Sequence, residues 1–223
     1  MRAATKKNNR TLVLVICLIA MLCVTMFSTL AYLTDRETVT NTFTVGDVDI
    51  KVDEADVDEN GEIIEGADRV IENEYHLIPG QTYVKDPTMT VLKDSEESYV
   101  RMIVKINCLS ELDAIFDPYV GSVITSIFGG YDGQTWIYKT ETRNSDNTIT
   151  YEFRYKETVD AADADIVLKP LFTSLTLPGQ ITKEQLKTIE DLKIVVEGHA
   201  IQKVGFDDAD EAWAAFDGQV DWK

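Results

Sequence analysis

The side chains that could carry catalytic chemistry are few and widely spaced in this sequence. It has two histidines, His76 and His199, and neither belongs to an H-E-x-x-H zinc-binding signature. It also has no G-x-S-x-G nucleophile motif and no phosphate-binding Walker loop. Cys108 follows an apolar run without any surrounding motif, which is typical of a buried, unreactive thiol. We therefore predict that the protein is not an enzyme.

One acidic stretch, DVDENG, matches the first half of a calcium-binding EF-hand loop. Asp56, Asp58 and Asn60 occupy alternate positions, so their oxygens could converge on one calcium ion. The twelfth position of such a loop is Ala67, where a bidentate glutamate would complete the site. The missing glutamate favours the alternative interpretation, an acidic hairpin tip built on the Asn-Gly dipeptide. Calcium is therefore the one cofactor that the sequence suggests, as a hypothesis.

The N-terminus has the features of an export signal. A basic head carries four lysines and arginines within its first ten residues, and no charged residue lies between Thr11 and Leu33. Small residues at Thr29 and Ala31 predict a signal-peptidase site between Ala31 and Tyr32. The apolar run also has the length of a membrane-spanning helix, about 20 residues. Cleavage after Ala31 is the favoured prediction, and a retained membrane anchor is the alternative.

Cleavage after Ala31 would leave a strongly acidic chain. The sequence has 21 basic and 39 acidic side chains, and the signal removes four basic and no acidic ones, which leaves a net charge of −22. This charge argues against nucleic acid and anionic membrane surfaces as partners. Cys17 and Cys23 leave with the signal, so Cys108 alone cannot form an internal disulfide. The exported chain must therefore be stabilised by its core or by neighbouring subunits.

Several segments alternate apolar and polar residues with the period of two that a half-buried strand requires. The clearest are Val100–Ile106 and Ile149–Tyr155, and the second follows a predicted hairpin turn at RNSDN. Leu192–Val196 begins a late strand, in which Gly198 predicts a kink. The apolar parity changes at Gly46 within FTVGDVDIKV, which predicts a bulge or bend in one strand.

Helices are few and short in this pattern. Thr182 and Gln185 form a predicted capping box before one helix, and Asp208 and Glu211 have the same spacing before another. Many evenly spaced strands without a strand-helix alternation predict an all-β fold, a jelly-roll-like β-sandwich with a few short helices. The expected organisation is a signal peptide at 1–31, an N-terminal segment at 32–46 and the β-sandwich domain at 47–223.

Several stretches, taken in order, resemble the TasA/camelysin family. The first is the end of the signal, LA, followed by an aromatic residue and then TD, as in LAYLTD. The others are TNTFTVGDVDIKV, PGQTYVKDPTMTV and SYVRMIVKI. The C-terminal VVEGHAIQKVGFDDADEAWAAF is also similar to the end of many members. Members are exported proteins of Firmicutes that are processed by the dedicated signal peptidase SipW. The resemblance implies a jelly-roll sandwich, cleavage after Ala31, and assembly into extracellular fibres of a biofilm matrix.

The resemblance also implies that the N-terminal segment acts as a donor strand, which inserts into the next subunit. Within residues 32–46, Val39, Phe43 and Val45 share a parity and could point inward together, although polar Asn41 interrupts that face. The alternative interpretation is that this segment is the first strand of its own domain. The expected partners are further copies of the chain, a SipW-type signal peptidase and accessory matrix subunits.

Two other functions are compatible with the sequence. The camelysin side of the family implies a surface metallopeptidase, which should hydrolyse casein and lose activity with a chelator. A membrane-anchored surface adhesin or accessory subunit should instead keep residues 1–31 in its mass. The favoured prediction is a structural subunit of biofilm matrix fibres, secreted to the extracellular matrix or cell surface of a Gram-positive bacterium and assembled by donor-strand exchange.

Overall fold

Period-two alternation of apolar and polar side chains produces the longest strands of the molecule. The computed structural model describes residues 34–38, 41–45, 48–116, 127–189 and 191–218, and of the first two ranges it describes the backbone only. These residues form mostly antiparallel strands with a few short helices, which confirms the prediction of an all-β fold. The strands are β1 (Thr34–Thr38), β2 (Asn41–Val45), β3 (Ile50–Asp53), β4 (Thr82–Val84), β5 (Thr88–Val91), β6 (Ser95–Ile106), β7 (Phe128–Gly129), β8 (Trp136–Arg143), β9 (Ile149–Tyr155), β10 (Val159–Ala161), β11 (Ile166–Val167), β12 (Ser174–Thr176) and β13 (Ile194–Gln202).

The largest sheet is antiparallel and has the strand order β2-β1-β13-β6-β9-β8, with β10 paired to the beginning of β6. Its centre is the pair β6 and β13, in which Val104 lies opposite Val196 and Val100 opposite Ala200. The alternation predicted for β6 is confirmed, because Val100, Met102, Val104 and Ile106 are all buried on one face. The predicted hairpin around RNSDN is also confirmed as the pair β8 and β9.

A second sheet, with the order β11-β5-β3, packs across the inner face of the first, and a third has the order β4-β12-β7. A Cβ atom at Gly198 of β13 would lie 2.4 Å from Val52 Cγ2 and 2.8 Å from Met89 Cε. The pairing of β13 with β6 runs unbroken through Gly198. Close packing of the two sheets, and not the predicted kink, therefore accounts for this glycine.

The change of parity at Gly46 marks a change of sheet. β2 ends at Val45 in the largest sheet, whereas β3 begins at Ile50 in the second sheet. The prediction of one strand with a bulge or bend is therefore wrong, and Gly46 itself lies outside the described residues.

Three helices lie in the described part of the chain: α1 (Leu109–Phe116), α2 (Lys183–Thr188) and α3 (Ala209–Gly218). The capping box of α2 is confirmed, since the side chains of Thr182 and Gln185 each accept a hydrogen bond from the other residue's backbone. At α3 only half of the predicted arrangement is present. The Asp208 carboxylate accepts a hydrogen bond from the Glu211 N–H, whereas the Glu211 carboxylate accepts one from the N–H of Asp207. The sequence pattern did not predict α1, which buries its apolar face in the core.

Helix α3 covers the outer face of the largest sheet through one arginine of β6. The Arg101 guanidinium lies 4.4 Å from the ring centroid of Trp213 and 5.0 Å from that of Phe216. It donates to Asp217 Oδ1 at 2.5 Å, and its Nε–H donates to His199 Nδ1 at 3.1 Å. A position that alternation assigns to solvent is therefore buried beneath a helix.

All of the described residues belong to one compact unit, Leu33–Lys223. The apolar run Thr11–Leu33 and the predicted cleavage site lie outside the described residues. Of the helices that the structure describes, none is long and apolar enough to cross a membrane.

Candidate functional site

The structure places the residues of the predicted donor strand in their own sheet. Phe43 and Val45 belong to β2, which pairs with β1, and β1 pairs with β13 of the same chain. Val39, and the cleavage-site residues Ala31 and Tyr32, lie outside the described residues. In this structure the N-terminal segment thus forms the first two strands of its own domain. Its donation to another copy stays a prediction.

The DVDENG stretch forms a tight turn that its own backbone holds together. Asp58 Oδ1 accepts hydrogen bonds from the backbone N–H groups of Asn60 at 2.9 Å and Glu62 at 3.0 Å. One antiparallel bridge joins Val57 to Ile63, so the predicted hairpin is present in a short form. The bond from the Glu62 N–H is the largest cause that lowers the pKa of the exposed Asp58 carboxyl, and bonds from Asn60 add to it.

Calcium binding by Asp56, Asp58 and Asn60 stays a hypothesis. In the described ranges, no group of three or more histidine, cysteine, aspartate or glutamate side chains is placed to hold a metal ion. The Asp58 carboxylate already accepts two backbone hydrogen bonds, so a calcium ion would compete with those donors for its oxygens.

The histidines and the cysteine lie in separate elements. His199 is buried on β13, where it contacts Arg101 beneath α3, whereas His76 is exposed between β3 and β4. Cys108 precedes α1 and is partly buried. Burial raises the pKa of its thiol, and nearby carboxylates add to the effect, so the reactive thiolate is disfavoured.

A cleft of about 1020 Å³ opens beside one end of β13. Its walls come from the end of β3, from the extended segment before β4, from the end of α2 and from β13 itself. Its deep lining is apolar and buried: Val52, Leu175, Ile189 and Val196. Two apolar side chains at its mouth, Ile71 and Val195, are exposed. A cleft with buried apolar side chains beside a strand can accommodate an extended peptide.

Half of the β13 edge above this cleft is not covered by a described strand. β1 pairs with β13 only from Gly198 to Ile201. Ile194, Val195 and Val196 line the cleft on that side, and they pair with β6 on the other side. An uncovered strand edge presents main-chain donors and acceptors at a regular spacing, so it can take another strand.

The pairing of β13 with β6 shows which main-chain groups point toward the cleft. Hydrogen bonds from Asn107 N–H to Lys193 C=O and from Lys203 N–H to Glu97 C=O flank the paired region. Both flanking bonds involve odd-numbered residues, Lys193 and Lys203. Because every second residue of an antiparallel strand bonds to the same neighbour, the odd-numbered residues of β13 bond to β6. The N–H and C=O groups of Ile194 therefore point to the open side, as do those of Val196.

The opposite wall of the cleft belongs to residues 69–77, which we call the strap. Arg69 holds its beginning by donating to both Asp53 and Asp86. Farther along, Asn73 donates to Glu54 Oε1 at 3.0 Å and to the Ala55 carbonyl at 2.9 Å. These bonds hold an extended segment in place, although in the described residues only an isolated bridge at Val70 pairs it with another segment.

A buried ion pair lies in the cleft wall beneath the strap. Lys85 Nζ is 2.7 Å from Glu54 Oε2, and it lies 5.5 Å from the ring centroid of Tyr75. Burial raises the pKa of Tyr75, and the Glu54 carboxylate adds to this, so the hydroxyl keeps its proton. That hydroxyl donates to the Val84 carbonyl at 3.0 Å. These polar groups satisfy one another. A ligand would meet the buried apolar lining, the β13 edge and the charged side chains that also line the cleft: Glu72, Glu74, Lys187, Lys193 and Glu197.

The edge of β8, the outer strand at the far side of the largest sheet, is built differently from the uncovered part of the β13 edge. The register of β8 shifts between Tyr138 and Thr140, as at a bulge. Beyond it, Glu141 pairs with the core residue Tyr151, so a charge lies on the core-facing side of the strand. Bulges and inward charges prevent an outer strand from pairing with other chains. The apolar edge at Ile194–Val196 lacks such features, and with the cleft it is the candidate functional site.

Sequence reasoning did not find this site, because four segments that are distant in the chain form its walls. The only local signal is the apolar run at residues 194–196, which is unusual in a strand with one face in water. Comparison with family models, curated proteins and solved structures returns no match for the chain. Its function is therefore argued from the geometry of the site and from the sequence pattern.

Proposed function

We propose that the protein is an exported structural subunit of extracellular biofilm matrix fibres, of the TasA/camelysin kind. In this proposal a SipW-type signal peptidase cleaves after Ala31 and releases a jelly-roll-like β-sandwich. Subunits then join by donor-strand exchange, in which residues 32–46 of one copy add to a sheet edge of the next. The observation that carries the proposal is the half-covered edge of β13 above an apolar cleft.

The cleft offers both kinds of contact that strand addition uses. The outward-pointing N–H and C=O groups of Ile194 and Val196 can bond to an incoming main chain. The buried lining can take alternate apolar side chains, each of which contributes about 1.5–3 kcal/mol when fully buried. Ordering the incoming segment opposes this gain, so a short polar peptide would bind weakly.

The positions of donor and acceptor favour an open chain of subunits. The donor segment precedes the domain, whereas the acceptor cleft lies beside β13 near the other end of the sequence. A contact between two different surfaces is heterologous, and it continues without closing unless its rotation forms a ring. Repeated strand addition of this kind therefore produces a filament.

Two isoleucines of the segment before β4 provide a matched test of the cleft. Ile71 lines the cleft and Ile78 does not, and both side chains are exposed, at 55% and 41%. We expect Ile71→Lys to reduce the amount of fibre that pellets from the extracellular fraction, because it places a charge at the mouth of the cleft. Ile78→Lys should assemble like the unmodified protein, and both variants should unfold at the same urea concentration.

A proline at the first residue of β13 tests the strand edge separately. Ile194→Pro removes an N–H that points to the open side and leaves the bonds to β6 intact, so the domain should still fold. We expect this variant to stay in the supernatant after ultracentrifugation. Normal fibres from both Ile71→Lys and Ile194→Pro would contradict the proposal that this cleft joins the subunits.

A further inference from the structure

The β1–β2 hairpin ends where the cleft begins. β1 forms four residue pairs with β13, from Thr34 opposite Ile201 to Glu37 opposite Gly198. The chain then reverses, and β2 forms five pairs with β1, which begin with Thr38 opposite Asn41. The N-terminal segment therefore leaves β13 at the point where its uncovered half starts.

We infer that this hairpin holds the free subunit in a closed state, and that it opens when subunits join. The inference rests on the proposed function. In the joined state, residues 37–45 lie as one continuous strand along β13 of a second copy. Their register on β13 is shifted by four residues from that of β1 in the free subunit.

The four-residue shift follows from which side chains would face the cleft. A strand that simply continued the β1 register would place Asn41 opposite Ile194, at the end of β13, and Phe43 beyond it. An odd shift would turn the apolar side chains away from the core. Only an even shift can therefore bring Phe43 and Val45 to the cleft.

A shift of two residues does not fit the face of β13 that borders the cleft. It would place polar Asn41 opposite the buried Val196 in the apolar lining. A shift of four places Phe43 opposite Val196 and Val45 opposite Ile194. Asn41 then lies opposite Gly198, which has no side chain on that face.

The exchange conserves main-chain pairing. The closed hairpin has five pairs within itself and four with β13, and a strand along all of Ile194–Gln202 would have nine. In the joined state Phe43 and Val45 would lie against the buried apolar lining of the cleft, and we infer that this contact favours joining. Assembly must wait for the hairpin to open, so it should start slowly from free subunits.

A disulfide across the hairpin tests the opening step. Glu37 and Thr42 lie opposite each other in β1 and β2. We expect Glu37→Cys/Thr42→Cys to stay unassembled when oxidised, in protein that is expressed from the full gene with Cys108→Ser and released at Tyr32, so that Cys17 and Cys23 leave with the signal. Addition of dithiothreitol to the same sample should restore pelleted fibre. Equal assembly of the oxidised and reduced forms would overturn the inference.

A second disulfide tests the register between copies. In the shifted register Thr44 lies opposite Val195, and because Val195 bonds to β6, this is a close, non-hydrogen-bonded pair. We expect fibres of Thr44→Cys/Val195→Cys, again with Cys108→Ser, to form a covalent ladder of subunits on a non-reducing gel. Thr42→Cys/Val195→Cys, which matches a shift of two, should form no ladder.

The outcomes separate this inference from the fibre function. If Thr42→Cys/Val195→Cys forms a ladder and Thr44→Cys/Val195→Cys forms none, the four-residue register is wrong, although the fibre function stands. Fibres that give neither ladder would overturn the proposed strand contact on β13. If the unmodified protein forms no fibres at all, the proposed function fails and the inference fails with it.

Discussion

Gly198 is the residue at which the second sheet packs against β13. A Cβ atom there would lie 2.4 Å from Val52 Cγ2, closer than side-chain atoms approach one another. We expect Gly198→Ala to reduce the free energy of unfolding by about 1–3 kcal/mol through overpacking. Gly218→Ala is the control, because among the described residues outside its own helix and chain neighbours no atom lies within 4 Å of the added Cβ. Equal urea midpoints for the two variants would contradict the close packing of the sheets.

Asp58 links the acidic turn to the pH dependence of stability. Hydrogen bonds from the Glu62 N–H and from Asn60 lower its folded-state pKa below the ordinary value of 3.8. The carboxylate therefore contributes stability that is present above pH 3.8 and is lost as the pH falls through the lowered value. We expect Asp58→Asn to be less stable than the unmodified protein at pH 5, with the difference disappearing toward pH 2.

Urea unfolding of both proteins at several pH values measures this difference. Asp56→Asn is a suitable neighbouring control, since its side chain does not accept the bonds that close the turn. A stability difference for Asp58→Asn that stayed constant from pH 5 to pH 2 would show that the carboxylate charge does not hold the turn.

At the scale of elements, α3 is attached to the sheet through Arg101. Its guanidinium contacts the rings of Trp213 and Phe216 and is almost fully buried. We expect a double-mutant cycle of Arg101→Ala and Trp213→Ala to give a coupling energy of about 1–2 kcal/mol, as for a desolvated cation–π contact. Arg143→Ala, which removes an exposed pair with Asp113, should cost about 0–1 kcal/mol. A coupling energy near zero would contradict the stacked arrangement.

Elements whose pattern is local were predictable from the sequence. The alternation of β6, the hairpin of β8 and β9, and the capping box at Thr182 all depend on residues within a few positions of one another. The interpretation of Gly46 was wrong because the strands before and after it belong to different sheets, and sheet membership depends on pairing with segments that are distant in the chain. Alternation along β6 places Arg101 on the face opposite the core side chains, and its burial was not predictable because the helix that covers it lies more than a hundred residues later.

The candidate site could not be predicted for the same reason. The uncovered edge of β13 depends on where β1 ends, and the cleft depends on how the strap and α2 approach β13. Neither is a property of one segment. The proposed donor role of residues 32–46, in contrast, depends on one segment, in which Val39, Phe43 and Val45 share a parity, and it stays a prediction.

At the scale of the whole molecule, two features limit assembly: the outer strand β8 of the largest sheet and the acidic charge of the chain. β8 carries a bulge and a core-facing charge, so unspecific pairing along it is disfavoured. Released after Ala31, each subunit would carry a net charge of −22, and copies would repel one another at low ionic strength. In the proposed assembly, joining therefore depends on a specific contact that buries apolar surface, and the cleft beside β13 is the candidate for it.

The fibre function is tested most directly on the extracellular fraction of cells that express the full gene. That fraction is pelleted and imaged, and the intact mass of the pelleted protein is measured. We predict filaments whose subunit begins at Tyr32. A protein found only in membranes, at the mass of the complete chain with residues 1–31 retained, would contradict the fibre function and favour an anchored adhesin.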